Sequence, residues 1–338
     1  MPHRRRIWCE TLPPEDLCAP ATIALLRRYS LAPIVAVFPT TSRDVIARVI
    51  AAYAAEGLPA AVWPMLDDRD GRWASAGNAA VFCRFAGDLI GDLAARGQRP
   101  AELFVDLEPA IEAMKSSVAS RAVNMQVAHY LPETFDARAL DAARASFSTL
   151  AAALRARGVR PSAAVAPMVL LDPERGPRRP WEDRLGTPVE GVGWSHLSVM
   201  LYTSIFEGWS RGALRRDDTR QLLALAAAET ARRYRERGSL CLGAVGTGAF
   251  GDEPVYRDVG ELADDVGIAL AAGVDDLSLF DLGGVLRRGS PEVWLDAFTQ
   301  TKPALHVPAP GLRLRSLLAG ARLAGGVLGF FGALRAGR

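Results

Sequence analysis

Residues 34–65 read IVAVFPTTSRDVIARVIAAYAAEGLPAAVWPM. An apolar run, Ile34–Phe38, gives way to a Pro/Thr/Ser loop. Val45, Ile46, Val49, Ile50 and Tyr53 then recur at helical spacing until Gly57, the residue type a C-terminal helix cap favours. A second apolar run, Ala60–Met65, follows at once. Strand, loop, helix, glycine, strand is the order of a βαβ unit, whose strands lie parallel.

The same order extends in both directions. Eight apolar runs can be counted: Ile7–Glu10, Ile34–Phe38, Ala60–Met65, Leu103–Glu108, Ser162–Val169, Leu197–Thr203, Leu240–Val245 and Leu277–Asp281. Phe82, Phe85, Leu89 and Leu93 repeat the helical pattern before Gly97, and similar patterns precede Gly158 and Gly238. The runs are rich in Val, Ala and Leu without strict alternation, which suits a parallel sheet covered on both faces. Eight such units in about 300 residues predict a single (β/α)8 TIM barrel. A doubly wound open sheet would carry a glycine-rich phosphate loop after its first strand, whereas Thr11-Leu12-Pro13-Pro14 stands there. The expected organisation is a barrel and catalytic domain over 1–300, a Pro-rich linker over 301–310 and an apolar-basic C-terminal tail helix over 311–338.

Composition agrees with a large buried core: of 338 residues, 49% are hydrophobic and 23% charged, which excludes a disordered or collagen-like chain. The net charge of +2 is uneven, with +6 after residue 300 and −4 before it, so the body offers no nucleic-acid surface. Lys115 and Lys302 are the only lysines and neither lies in a strand-like run, which excludes a Schiff-base lysine inside the barrel. Cys9, Cys18, Cys83 and Cys241 show no C-x-x-C spacing and read as buried free thiols. No cofactor is expected. Met1–Arg6 is basic but leads into no 7–15-residue apolar stretch, so no secretory signal is read and a cytoplasmic location is expected.

In a (β/α)8 barrel the reactive face is the C-terminal end of the strands. The residues closing the runs are acids and aromatics: Trp8 and Glu10, Trp63 with Asp67 and Asp68, Asp106 and Glu108, Asp172, Met200 and Tyr202, and Asp281. The sharpest signal is Leu103-Phe104-Val105-Asp106-Leu107-Glu108-Pro109. Alternate strand residues share a face, so Asp106 and Glu108 project the same way with Cα atoms roughly 6.5 Å apart. Repulsion and burial should raise the pKa of one of them, giving the protonated and ionised carboxyls that glycosidic cleavage uses.

Asp106-Leu107-Glu108 on the fourth run and Met200-Leu201-Tyr202 on the sixth resemble the Asp-x-Glu and Met-x-Tyr motifs of glycoside hydrolase family 18, the chitinase-like barrels. The resemblance implies Glu108 as general acid, Asp106 as the group orienting the substrate's acetamido function, and Tyr202 as its hydrogen-bond partner during substrate-assisted attack. Aligned on Glu108, the family's two upstream aspartates are replaced by Phe104 and Ala101, and the eighth strand offers Phe280-Asp281 where a tryptophan is usual. Asp-x-Glu at a strand end also occurs in lysozyme-like family 25 barrels, so the motif indicates sugar-cleaving barrels broadly.

Trp8, Trp63, Trp73, Trp181, Trp194 and Trp209 fall at strand ends or in loops, as a carbohydrate groove would need, and Trp63 is the preferred sugar platform. Glu10, Asp67, Met200 and Asp281 complete the expected substrate-binding set. Gly243–Gly248 reads as a close-approach loop. Two alternatives stay open: a divalent-metal barrel with Glu10, Asp106, Glu108, Asp172 and Asp281 as an oxygen cage, and a barrel that binds sugar without cleaving it. In the tail, the uncharged stretch Leu323–Leu334 is too short to span a bilayer of about 30 Å. It reads either as an interfacial anchor for peripheral membrane contact or as a helix docked on the barrel.

Overall fold

In the computed structural model, which describes residues 5–119, 137–174, 179–210 and 212–321, eight parallel strands close into a barrel in sequence order. They are β1 Arg5–Cys9, β2 Ala32–Val37, β3 Ala61–Pro64, β4 Glu102–Leu107, β5 Arg160–Val165, β6 His196–Leu201, β7 Gly238–Leu242 and β8 Leu277–Leu279. β8 pairs with β1 through Arg5–Leu277, Arg6–Ser278 and Ile7–Leu279, which leaves no sheet edge. The chain is therefore a single (β/α)8 barrel.

Strand pleating sorts side chains into two cores. Ile7, Cys9, Val35, Val37, Val62, Leu103, Val105, Leu107, Val199, Leu201, Leu240 and Leu242 point outward against helices such as Arg43–Ala55 and Ala79–Ala95. Trp8, Ile34, Ala36, Ala61, Trp63, Phe104, Ala164, Met200 and Cys241 fill the interior. Trp8 stands edge-on to Trp63 at 4.8 Å and to Phe104 at 5.1 Å between centroids, and its indole donates to Ser278 Oγ at 2.9 Å. Phe104, at a position where family 18 has an aspartate, is part of this packed interior.

Most strands begin one or two residues earlier than their apolar runs, and in β1, β4, β5 and β6 the early residues are ionisable ones turned into the barrel. Arg6 contacts Asp276 at 2.5 Å and Glu102 at 3.1 Å; Arg160 also pairs with Glu102, and Ser162 donates to it at 2.8 Å. His196 lies 3.5 Å from Asp276. Burial would raise the Glu102 carboxyl, but the charges of Arg6, His196 and Arg160 outweigh it and hold Glu102 at about 2. This ionic layer plugs the N-terminal end of the barrel.

The fifth run overshoots: β5 stops at Val165, and Pro167–Leu171 forms a 3₁₀ turn, since Pro167 has no N–H for the ladder. Trp181 and Trp194 correct another expectation. Both are buried in the outer core, Trp181 within helix Pro180–Leu185, and neither faces a groove. In the tail, residues 312–321 are helical, with Leu314 buried and Arg313 donating to the carbonyls of Gly212 and Ala213. The stretch Leu323–Leu334 lies outside the described residues. Among the described residues, no helix is long and apolar enough to cross a membrane.

Candidate active site

β4 carries Glu102, Phe104, Asp106 and Glu108 along one inward line, from the ionic floor through the aromatic middle to the mouth. Asp106 is 3% exposed, whereas Glu108, just past the strand, is partly exposed. The β3 loop grips this strand end: Ala74 bridges to Leu107, its N–H donates to the Asp106 carbonyl at 2.8 Å, and the Glu108 N–H donates to the Ala74 carbonyl at 3.2 Å. The backbone under the pair is thus fixed on both sides.

Burial pushes Asp106 well above the usual carboxylate range, and the nearby carboxyls of Glu108 and Glu10 push it further. Burial also raises Glu108, to about 7, against a hydrogen bond from Asp106 that favours its ionised form. Both carboxyls are thus raised by burial and by each other's proximity, and near neutral pH the pair retains a shared proton. The buried indole N–H of Trp63 faces the buried Asp106 carboxyl and favours its ionised form, though not enough to offset burial.

Tyr202 sits across the mouth at the end of β6, partly exposed, with its hydroxyl 3.3 Å from Cys241 Sγ and its ring tilted over Phe280 at 5.4 Å. Burial, then Cys241 and the two acids, raise its phenol well above the ordinary value, so it remains a neutral hydrogen-bond donor. Glu10, on the β1 side, accepts from Arg72 at 3.2 Å. Burial nonetheless raises it to about 8; Arg72 opposes this, and Asp281, Glu253 and Glu108 add to it.

The other expected site residues are placed as follows. Trp8 and Met200 lie inside the barrel beneath the mouth, 2% and 8% exposed. Trp63 is 3% exposed with an edge of its neighbour Trp8 packed against it, so it forms part of the barrel filling rather than an open platform. Asp67 stands on the rim, 3.6 Å from Arg69. Asp281 is turned to structural use: its carboxylate accepts from Gly284 N at 2.8 Å and from Thr11 Oγ1 at 3.0 Å, capping helix Leu282–Arg287. Asp172 does the same for helix Pro180–Leu185, accepting from the N–H groups of Trp181 and Glu182. The five-acid metal cage is therefore not assembled, and among the described residues no three His, Cys, Asp or Glu side chains are grouped to hold a metal ion.

Three mouth residues carried no signal of their own in the sequence reading. Arg72 holds a left-handed backbone (φ 58°) and reaches both Glu10 and Asp68. Glu253 and Phe250 belong to the β7 loop. Gly248 of that loop passes so close to Glu10 that a Cβ there would lie 2.8 Å from its Oε2 and 3.2 Å from Glu253 Oε1.

No protein-family model matches the chain, and no curated protein matches it. Among solved structures, the glycoside hydrolase domain of PgaB (BpsB) from Bordetella bronchiseptica is similar, with a TM-score of 0.53 and 12% identity over 88% of this chain and 99% of that one. A class V chitinase from Pseudomonas fluorescens Pf-5 is similar to the same degree, with a TM-score of 0.53 and 13% identity over 87% and 98%. At these identities the likeness establishes the barrel.

Proposed function

We propose that this barrel is a glycoside hydrolase whose acid chemistry rests on Asp106 and Glu108. The observation that carries the reading is the pair itself: two neighbouring carboxyls from one strand end stand at the mouth, Asp106 buried and Glu108 partly exposed, and burial raises both above the usual carboxylate range. A general acid works best when its pKa lies near the working pH, and Glu108 meets that condition. The resemblance to family 18 and the two sugar-cleaving barrels of like fold support the same chemistry.

In this reading Glu108 protonates the glycosidic oxygen as the bond to the anomeric carbon breaks. The new Glu108 carboxylate keeps the hydrogen bond from protonated Asp106, which stabilises the anion where charge develops. The attacking group is the acetamido oxygen of the substrate, held by the neutral Tyr202 hydroxyl. Water then attacks the anomeric carbon, opens the cyclic intermediate and returns its proton to Glu108.

The test is Glu108→Gln on β-1,4-linked N-acetylglucosamine oligosaccharides. General acid–base catalysis contributes about 10²–10⁴-fold, so kcat should fall by that factor while the melting temperature is not lowered and sugar affinity is kept. Unchanged kcat would remove Glu108 from the chemistry. A second reading, a sugar-binding barrel without turnover, is favoured by one observation: Phe104 fills a position where a relay carboxylate would stand. That reading expects affinity with no product from the wild-type protein.

A further inference from the structure

The β7 loop, residues 243–258, is clamped at both roots and carries Phe250 near its tip. At the roots, Ala244 N–H donates to Ser204 Oγ and Ser204 Oγ to the Pro254 carbonyl, both at 2.8 Å. Tyr256 donates from its backbone to Ala244 and from its hydroxyl to Asp265, again at 2.8 Å each, and Arg288 donates to the Tyr256 carbonyl at 2.6 Å. Gly208 of helix Thr203–Trp209 lets Pro254 pack directly on its backbone, where any Cβ would collide with the proline ring.

From these roots the chain leaves the β7 side of the barrel, and Gly248 passes over Glu10 and Phe280. Phe250 then reaches two tryptophans on other sides. Its ring is 6.1 Å from that of Trp73 in the β3 loop and 5.4 Å, edge to face, from that of Trp209. Trp73 directly precedes Ala74, whose carbonyl receives the Glu108 N–H, so this aromatic bridge ends beside the acid pair. The Phe250 N–H donates to Glu253 Oε1 at 2.8 Å, which fixes the turn that presents the ring.

We propose that Phe250 is the specificity-determining residue of this site: seated between Trp73 and Trp209, it closes the mouth to the interior of a polymer and admits chain ends and short oligosaccharides. The glycan half rests on the hydrolase reading, and the latch rests on the ring contacts alone. Aromatic contacts of this kind contribute about 0.5–1.5 kcal/mol each, enough to hold the loop closed and weak enough to yield to a ligand.

The latch is tested by carbodiimide-driven coupling of glycine ethyl ester to carboxyls, read by peptide mass spectrometry. Phe250→Ala should raise the coupling rate at Glu108 by on the order of tenfold, as expected when a local opening step is removed, while exposed Asp141 couples equally in both proteins. Phe250→Trp should keep the slow rate, and Phe250→Leu replaces the alanine variant if that one fails to fold. Equal coupling at Glu108 in wild type and variant overturns the latch. The glycan half is read on a hexamer of β-1,4-linked N-acetylglucosamine tagged at its reducing end. Wild type should trim one end only and Phe250→Ala should also cut internally; internal cutting by wild type overturns the size limit. Coupling needs no turnover, so loss of all cutting in both proteins with the Glu108 contrast intact sinks the hydrolase reading and upholds the latch.

Discussion

Glu108 and Tyr202 differ in what burial does for them. Burial brings Glu108 up to about 7, where it can give and regain a proton, and it takes the Tyr202 phenol out of the working range, leaving a fixed donor. Two expectations follow at this scale. The acid step needs protonated Glu108, so kcat/KM should be flat below about pH 6 and fall tenfold per unit above about pH 7.5, and Glu108→Asp should shift or abolish that limb. Tyr202→Phe should lower kcat more than it raises KM, by about 10–100-fold, if its hydroxyl holds the attacking group in the transition state. A purely KM effect would reduce Tyr202 to a binding contact. Residue identity was readable for this pair because strand alternation places Asp106 and Glu108 together. Asp281, which ends an apolar run, and Asp172, which follows one, instead cap helices; Leu282-Gly283-Gly284 after Asp281 is the local cue, since the small backbone there lets an N–H turn back to the carboxylate.

Single strands span the distance between the two ends of the barrel, and β4 shows what each end is for. Its first residue, Glu102, belongs to the ionic floor, and the chain reaches the acid pair four to six residues later. Glu102→Ala leaves Arg6 buried with one counter-charge fewer, and breaking a buried pair in this way costs about 3–5 kcal/mol. We expect a large drop in the denaturation midpoint with kcat per folded molecule unchanged; a parallel loss of kcat would mean that floor and mouth are coupled. The same floor explains why strand beginnings were hard to read. Arg6, Glu102, Arg160 and His196 look like loop residues in a sequence, and only their mutual neutralisation makes them strand residues. The β7 loop was legible only as glycine-rich. No periodicity marks Phe250 or Glu253, whose positions depend on long-range packing against Pro254 and Gly208 and on contact with Trp73 and Trp209.

For the whole molecule, the two ends respond to pH in opposite senses. Glu102 and Asp276 are held at about 2, below the usual value, so their contribution is present at neutral pH and is lost as pH falls through about 4 to 2. Glu10 and Glu108 are raised, to about 8 and about 7, so the folded state holds more protons than the unfolded one. Stability from these groups therefore falls as pH rises from about 4.5 to about 8. Glu108→Gln should flatten the alkaline limb of a urea-denaturation series. A limb unchanged by the substitution would show that Glu108 titrates normally. The barrel as a whole was legible because eight apolar runs alternate with glycine-ended helical stretches, a pattern that burial on both faces of a parallel sheet imposes on every strand.

A carboxyl ¹³C NMR titration of protein labelled at Asp and Glu side chains measures the protons of the acid pair directly. The expected result is a glutamate resonance with a midpoint near 7 that disappears in Glu108→Gln, together with an aspartate that stays protonated through that range and disappears in Asp106→Asn. If Glu108 and Asp106 both ionise below about pH 5, as exposed carboxylates do, this pair holds no acid able to deliver a proton at neutral pH and the assignment of the acid step to Glu108 is contradicted.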